Sequence, residues 1–149
     1  MIELRRTRVN QFDEHYPLVT LHELVDAFTT WEKKNDDSKL LKVIHPIEYA
    51  LSEIKAVVIR DSAVDALCHG AQLAVPGILQ VSPNLEKGDL VAIYTLKGEA
   101  VALAEALMTD IEIKEATNGY AFQTKRIIMT PNTYPKNWHS KSSKNELLS

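Results

Sequence analysis

Ala56-Val57-Val58-Ile59-Arg60-Asp61-Ser62-Ala63-Val64-Asp65-Ala66-Leu67-Cys68-His69-Gly70-Ala71-Gln72-Leu73-Ala74-Val75-Pro76-Gly77-Ile78 is the stretch that decides the fold. Ala56 to Ile59 is a short apolar run, partly β-branched, which predicts a buried strand. Asp61 or Ser62 then caps a helix whose apolar side holds Ala63, Val64, Ala66 and Leu67. Gly70 can take the left-handed conformation that stops this helix. Pro76-Gly77 marks a tight turn into a second strand, Ile78 to Val81.

Downstream, Lys87-Gly88-Asp89 turns into a strand over Leu90 to Tyr94, and Lys97-Gly98-Glu99 forms a hairpin into Ala100 to Leu107. A short helix is expected within Thr109 to Thr117, stopped near Asn118-Gly119. Tyr120 to Met129 reads as a long alternating strand, with Ala121, Gln123, Lys125 and Ile127 on one face and Tyr120, Phe122, Thr124, Arg126 and Ile128 on the other. On that pattern Lys125 and Arg126 face opposite ways. Several short strands, turns between them and one early helix predict a small mixed barrel of α+β class.

Upstream the period is helical. Residues 1–12 suggest an extended segment carrying Arg5, Arg6 and Arg8, interrupted by Asp13 to Pro17. Thr20-Leu21-His22-Glu23 has the spacing of a capping box. Leu21, Leu24, Val25, Phe28 and Trp31 follow on one helical face, which suits a core or a domain interface. A short helical piece around Leu40 to Ile44 is next, and Pro46 suits the first turn of another helix through Ile54. Residues 139–149, rich in Ser, Lys and Asn, read as a flexible tail.

The composition, 45% hydrophobic with a formal charge of −3, permits a real core and rules out a simple polycation. Residues 56–135 carry 6 basic and 9 acidic groups, so any nucleic-acid contact must rest on local patches. Cys68 is the single cysteine, which excludes an internal disulfide and fits a reducing cytosol. Neither Cys68 nor the five histidines show metal-ligand spacing, and no cofactor is expected. No run approaches the roughly 18 apolar residues of a membrane span. Met1 to Arg6 lacks the apolar centre of a signal peptide, so a soluble, cytoplasmic protein is expected.

Several blocks in order carry a resemblance. Met1-Ile2-Glu3-Leu4-Arg5-Arg6-Thr7-Arg8 looks like the last motif of a TruB-type catalytic domain. Val19 to Ala27 and Ile44 to Glu48 look like linker helices, Asp61 to Gly77 like the opening of a PUA domain, and Arg126 to Met129 with Thr133 to Trp138 like its end. The chain thus resembles the C-terminal part of the archaeal dyskerin-like pseudouridine synthases of box H/ACA guide ribonucleoproteins. The resemblance implies a PUA pseudo-barrel of short mixed strands with one main helix. An N-terminal strand and two or three linker helices would precede it. It divides the chain into a catalytic-domain remnant with linker helices (1–55), a PUA RNA-binding domain (56–138) and the tail (139–149).

What the resemblance implies about function is RNA binding. In the family the PUA domain holds the ACA end and lower stem of the guide RNA. Gly70, Ala71 and Gln72 then lie where RNA approaches, flanked by Arg60, His69 and a basic residue of the last strand, Lys125 or Arg126. Gly70 fits both a helix stop and a close backbone approach. His69 fits either an RNA contact or an interaction with the helix end. Lys97 fits a phosphate contact or a bare hairpin tip. Leu4, Arg5 and Arg6 match the catalytic-domain motif, with the arginines suited to phosphate or to a partner within the intact enzyme.

The family's catalytic aspartate lies upstream of the Leu-Arg-Arg motif. These residues are therefore expected to lack it, and to bind RNA without isomerising uridine. Asp13, Asp26, Asp61 and Asp65 sit in the wrong context to replace it. Two other readings remain. The chain is half of a split synthase active only with a separate catalytic chain, or a protein-interaction module that binds another protein and has no RNA role; the partners expected besides RNA are such a catalytic chain or other ribonucleoprotein proteins.

Overall fold

The structure, a computed structural model, describes residues 6–9, 12–13 and 15–135. Leu4, Arg5 and the expected tail lie outside these residues. The chain divides into two compact units, Met1–Glu53 and Ile54–Ser149.

In the first unit, β1 (Arg8–Val9) and β2 (Phe12–Asp13) form a small antiparallel pair. Helix α1 (Leu21–Lys34) begins at the expected capping box. The Thr20 hydroxyl accepts the Glu23 amide at 3.2 Å, while Glu23 Oε2 accepts the Thr20 amide at 2.8 Å. Asn35, in the left-handed region at φ 50°, closes the other end by donating its amide to the Trp31 carbonyl. Helices α2 (Leu40–Val43) and α3 (Ile47–Ala50) follow. Pro46 stands just before α3 as its cap, and α3 ends four residues short of Ile54. Tyr16 sets its ring edge-on to Phe12 and Tyr49, at 5.0 and 5.8 Å between centroids, joining the β2 end to α3.

The second unit is a six-stranded pseudo-barrel. Its strands are β3 (Lys55–Ile59), β4 (Leu73–Ala74), β5 (Ile78–Val81), β6 (Leu90–Tyr94), β7 (Ala100–Ala106) and β8 (Tyr120–Ile127). They lie in the order β4-β8-β7-β6-β3-β5; β3 and β6 are parallel and every other pair is antiparallel. Helix α4 (Asp61–Cys68) follows β3, and α5 (Asp110–Glu115) lies between β7 and β8. Val57, Ile59, Val91, Ile93, Val101 and Phe122 are wholly buried, and α4 adds Val64 and Leu67 to the same core. Loss of so much apolar surface from water is the main force closing the barrel.

Two local expectations are corrected. Helix α4 is capped by Arg60, without a side-chain cap bond, so Asp61 is its first residue and not its cap. The Arg60 amide donates to the Gly77 carbonyl at 2.9 Å, which holds Arg60 extended and starts the helix one residue early. Strand β8 does not alternate strictly. Leu103 pairs with Arg126 but Ala104 with Thr124, so Lys125 is an extra residue in a bulge. Arg126 therefore shares a face with Leu103, whereas Thr124 lies on the other face with Ala104. Lys125 reaches Glu105 at 2.7 Å, placing both basic side chains on the same side of the sheet.

Candidate nucleic-acid interface

The end of α4 builds the site. His69 closes the helix, and Gly70 follows at φ 86°, in the left-handed region. The Gly70 amide donates to Leu67 and the Ala71 amide to Ala66, satisfying the last carbonyls of the helix. A Cβ at Gly70 would lie 4.0 Å from Ile127 Cδ1, an ordinary contact, so φ and not crowding calls for glycine here. The Ala71 carbonyl accepts the Thr124 hydroxyl at 2.7 Å, pinning the loop to β8.

Between α4, this loop and the Leu73–Gly77 segment lies an open groove of about 650 Å³. Ala63, Ala66, Leu73 and Pro76 give it an apolar floor, Ser62 and Gln72 give it polar groups, and Tyr120 stands on it from β8. Gly77 keeps it compact: a Cβ there would come within 3.1 Å of both Ala63 Cβ and Leu73 Cδ1. Such a surface offers stacking and van der Waals contact from its floor and aromatic rim, and hydrogen bonds from one side-chain amide.

Of the residues singled out in the sequence, Ala71 and Gln72 line the groove, and Gly70 adjoins it. His69 is half-exposed, its Nδ1 2.8 Å from the Asp65 carbonyl oxygen. Arg60 is exposed at the opposite end of α4. Lys97 lies on the β6–β7 hairpin with its Nζ 5.5 Å from the centre of the Tyr134 ring, a cation–π arrangement. Lys125 is held by Glu105. Arg6 is exposed, in the other unit. Burial, with a smaller contribution from the Asp65 charge, pushes the Cys68 thiol up, so it is not a reactive thiolate.

Sequence reasoning missed Tyr120 and Gly77 as parts of this surface. Tyr120 looked like one position in an alternating strand; its 60% exposure beside an apolar groove is what marks it. Among the described residues no helix is long and apolar enough to cross a membrane.

The barrel, its single main helix and this loop define a PUA domain, and residues 55–128 match that family directly. Residues 1–52 match the tRNA pseudouridylate synthase B C-terminal domain. The chain thus matches these two domain families in succession, and over nearly its whole length it is similar to archaeal proteins of the tRNA pseudouridine synthase B type. A probable tRNA pseudouridine synthase B of Methanosarcina barkeri is 50% identical over 141 residues, 95% of this chain and 41% of that protein. Among solved structures, an H/ACA ribonucleoprotein bound to a substrate RNA containing 2'-deoxyuridine has a chain 46% identical, at a TM-score of 0.84 over 90% of this chain and 42% of its own. The archaeal box H/ACA Nop10–Cbf5 complex has one 44% identical, also at 0.84, over 90% and 43%. The chain thus spans about four tenths of the length of the relatives it matches.

Proposed function

We propose that residues 56–138 are the RNA-binding module of a guide-RNA-dependent pseudouridine synthase, gripping the ACA end and lower stem of a box H/ACA-type RNA. The observation that carries this reading is the groove beside Gly70, Ala71 and Gln72, on a chain 46% identical to part of a ribonucleoprotein bound to RNA. An unstacked base fits against Tyr120 and the alanine floor, where stacking is favourable for any base. The Gln72 amide, with donors and an acceptor, reads a base edge. The positive φ of Gly70 turns the backbone so that Ala71 and Gln72 face the ligand. Arg60 and His69 flank the site, and Lys97, Lys125 and Arg126 meet phosphates, which position RNA without reading it. The test is binding of a hairpin RNA ending in ACA against one ending in a scrambled trinucleotide.

A second role falls to residues 1–55. Leu21, Val25, Phe28 and Trp31 leave an exposed apolar stripe along α1. Their match to a synthase C-terminal domain supports docking of that stripe on a catalytic part carrying the aspartate, in the same polypeptide or another. On this reading the 149 residues hold the RNA, and isomerisation belongs to that catalytic part. Association with such a part, and no uridine isomerisation by these residues alone, is the expected result.

A further inference from the structure

His69, which closes α4 just before the loop that lines the groove, has a hydrogen-bonding character set by the fold. Its Nδ1 lies 2.8 Å from the Asp65 carbonyl oxygen and 3.6 Å from Asp65 Oδ2. The carbonyl oxygen can only accept, so Nδ1 must carry the hydrogen of that bond. Asp65 is itself fixed: its side chain is 11% exposed, and its Oδ1 accepts the Asn132 amide at 3.3 Å. Whenever the imidazole is neutral, Nε2 is then a bare acceptor on a side chain that keeps 48% of its surface exposed.

We propose that His69 is a specificity-determining residue whose Nε2 accepts a hydrogen bond from an RNA donor group. The inference rests on the RNA-binding reading above and names the chemistry of one contact within it. A neutral Nε2 lone pair gains nothing from a phosphate oxygen, which has no hydrogen to give. Within an ACA end, the donors are the exocyclic amino groups of adenine and cytosine and the ribose 2'-hydroxyl. Lys97, Lys125 and Arg126 can only donate, which suits them to phosphate oxygens and unsuits them to the donor groups of RNA. His69 supplies the complementary half, at the end of α4 two residues before Ala71, which lines the groove.

Two measurements on the full chain test this. Nitrogen-15 NMR of the imidazole at neutral pH should find the free protein's His69 with its hydrogen on Nδ1; a hydrogen on Nε2 overturns the proposal without any reference to RNA. Binding is then measured for a hairpin RNA ending in ACA, and for versions lacking one donor at a time. Purine replaces adenine, pyrimidin-2-one replaces cytosine, and single 2'-deoxyriboses replace the riboses. One substitution should weaken the wild type roughly three- to tenfold, the scale of a single hydrogen bond. His69→Phe should show the same loss with unmodified RNA and no further loss with that one analogue. Coupling to an amino deletion assigns a base contact, and coupling to a deoxyribose assigns a sugar contact. Equal weakening of ACA and scrambled RNAs by His69→Phe, coupled to no donor group, marks a phosphate contact and overturns the proposal. If the wild type binds both RNAs equally, the RNA-end reading fails first and the proposal fails with it.

Discussion

The Tyr134 hydroxyl donates to Glu99 Oε2 at 2.5 Å, fastening the chain beyond β8 to the hairpin between β6 and β7. Thr95 also donates to that oxygen at 3.1 Å, and Tyr134 itself is 9% exposed. The bond from Tyr134 holds the Glu99 carboxyl below its ordinary value of 4.5. A lowered carboxyl contributes stability that is present above the ordinary value and is lost as pH falls through the folded value. Tyr134→Phe should therefore lower the melting temperature at neutral pH and lose that effect in acid. Phenylalanine keeps the ring, so equal destabilisation at pH 7 and pH 3 would mean that the hydroxyl acts independently of the Glu99 charge and would contradict this account.

Gly77→Ala should destabilise the barrel by about 1–3 kcal/mol, because its methyl group must displace Ala63 or Leu73. Gly70→Ala meets no such obstacle and should cost about 1–2 kcal/mol through its backbone alone. Denaturant unfolding of both variants checks the pair, and a harmless Gly77→Ala contradicts the packing account.

Thr20→Ala should cost about 1 kcal/mol, since it removes the acceptor for the Glu23 amide at the start of α1. Hydrogen exchange in the first turn of α1 should quicken while the second unit is unchanged. Unaltered exchange there would show that packing, not the capping box, holds that turn.

Lys125→Ala or Arg126→Ala should weaken ACA-ended and scrambled RNAs alike, by roughly two- to fivefold at moderate salt, as phosphate contacts do. Because Glu105 holds Lys125 at 2.7 Å, Glu105→Ala should strengthen both RNAs modestly. A change confined to the ACA-ended RNA would move these residues from phosphate contact to base reading.

How much of this was legible in the residues differs by element. The α1 capping box and the Gly70 helix stop follow from local chemistry, and both stand in the structure. The start of α4 was misread because Asp61 and Ser62 are both good caps, while the bond that selects Arg60 comes from Gly77, distant in sequence. The β8 bulge was invisible because it arises from pairing with β7, not from composition. Tyr120 and Gly77 reach the groove only when α4 and β8 come together. Local signals were readable, and the groove, a product of long-range packing, was not.

The most direct test of the central claim is the affinity of the 149-residue chain for a hairpin RNA ending in ACA relative to its scrambled counterpart, at one fixed salt concentration, for the wild type and Gln72→Ala. Gln72 is exposed on the groove, so its truncation should leave the melting temperature unchanged. The wild type should prefer ACA, and Gln72→Ala should lose most of that preference while its binding to the scrambled RNA is unaltered. A folded Gln72→Ala protein with full affinity and full ACA preference would contradict the claim.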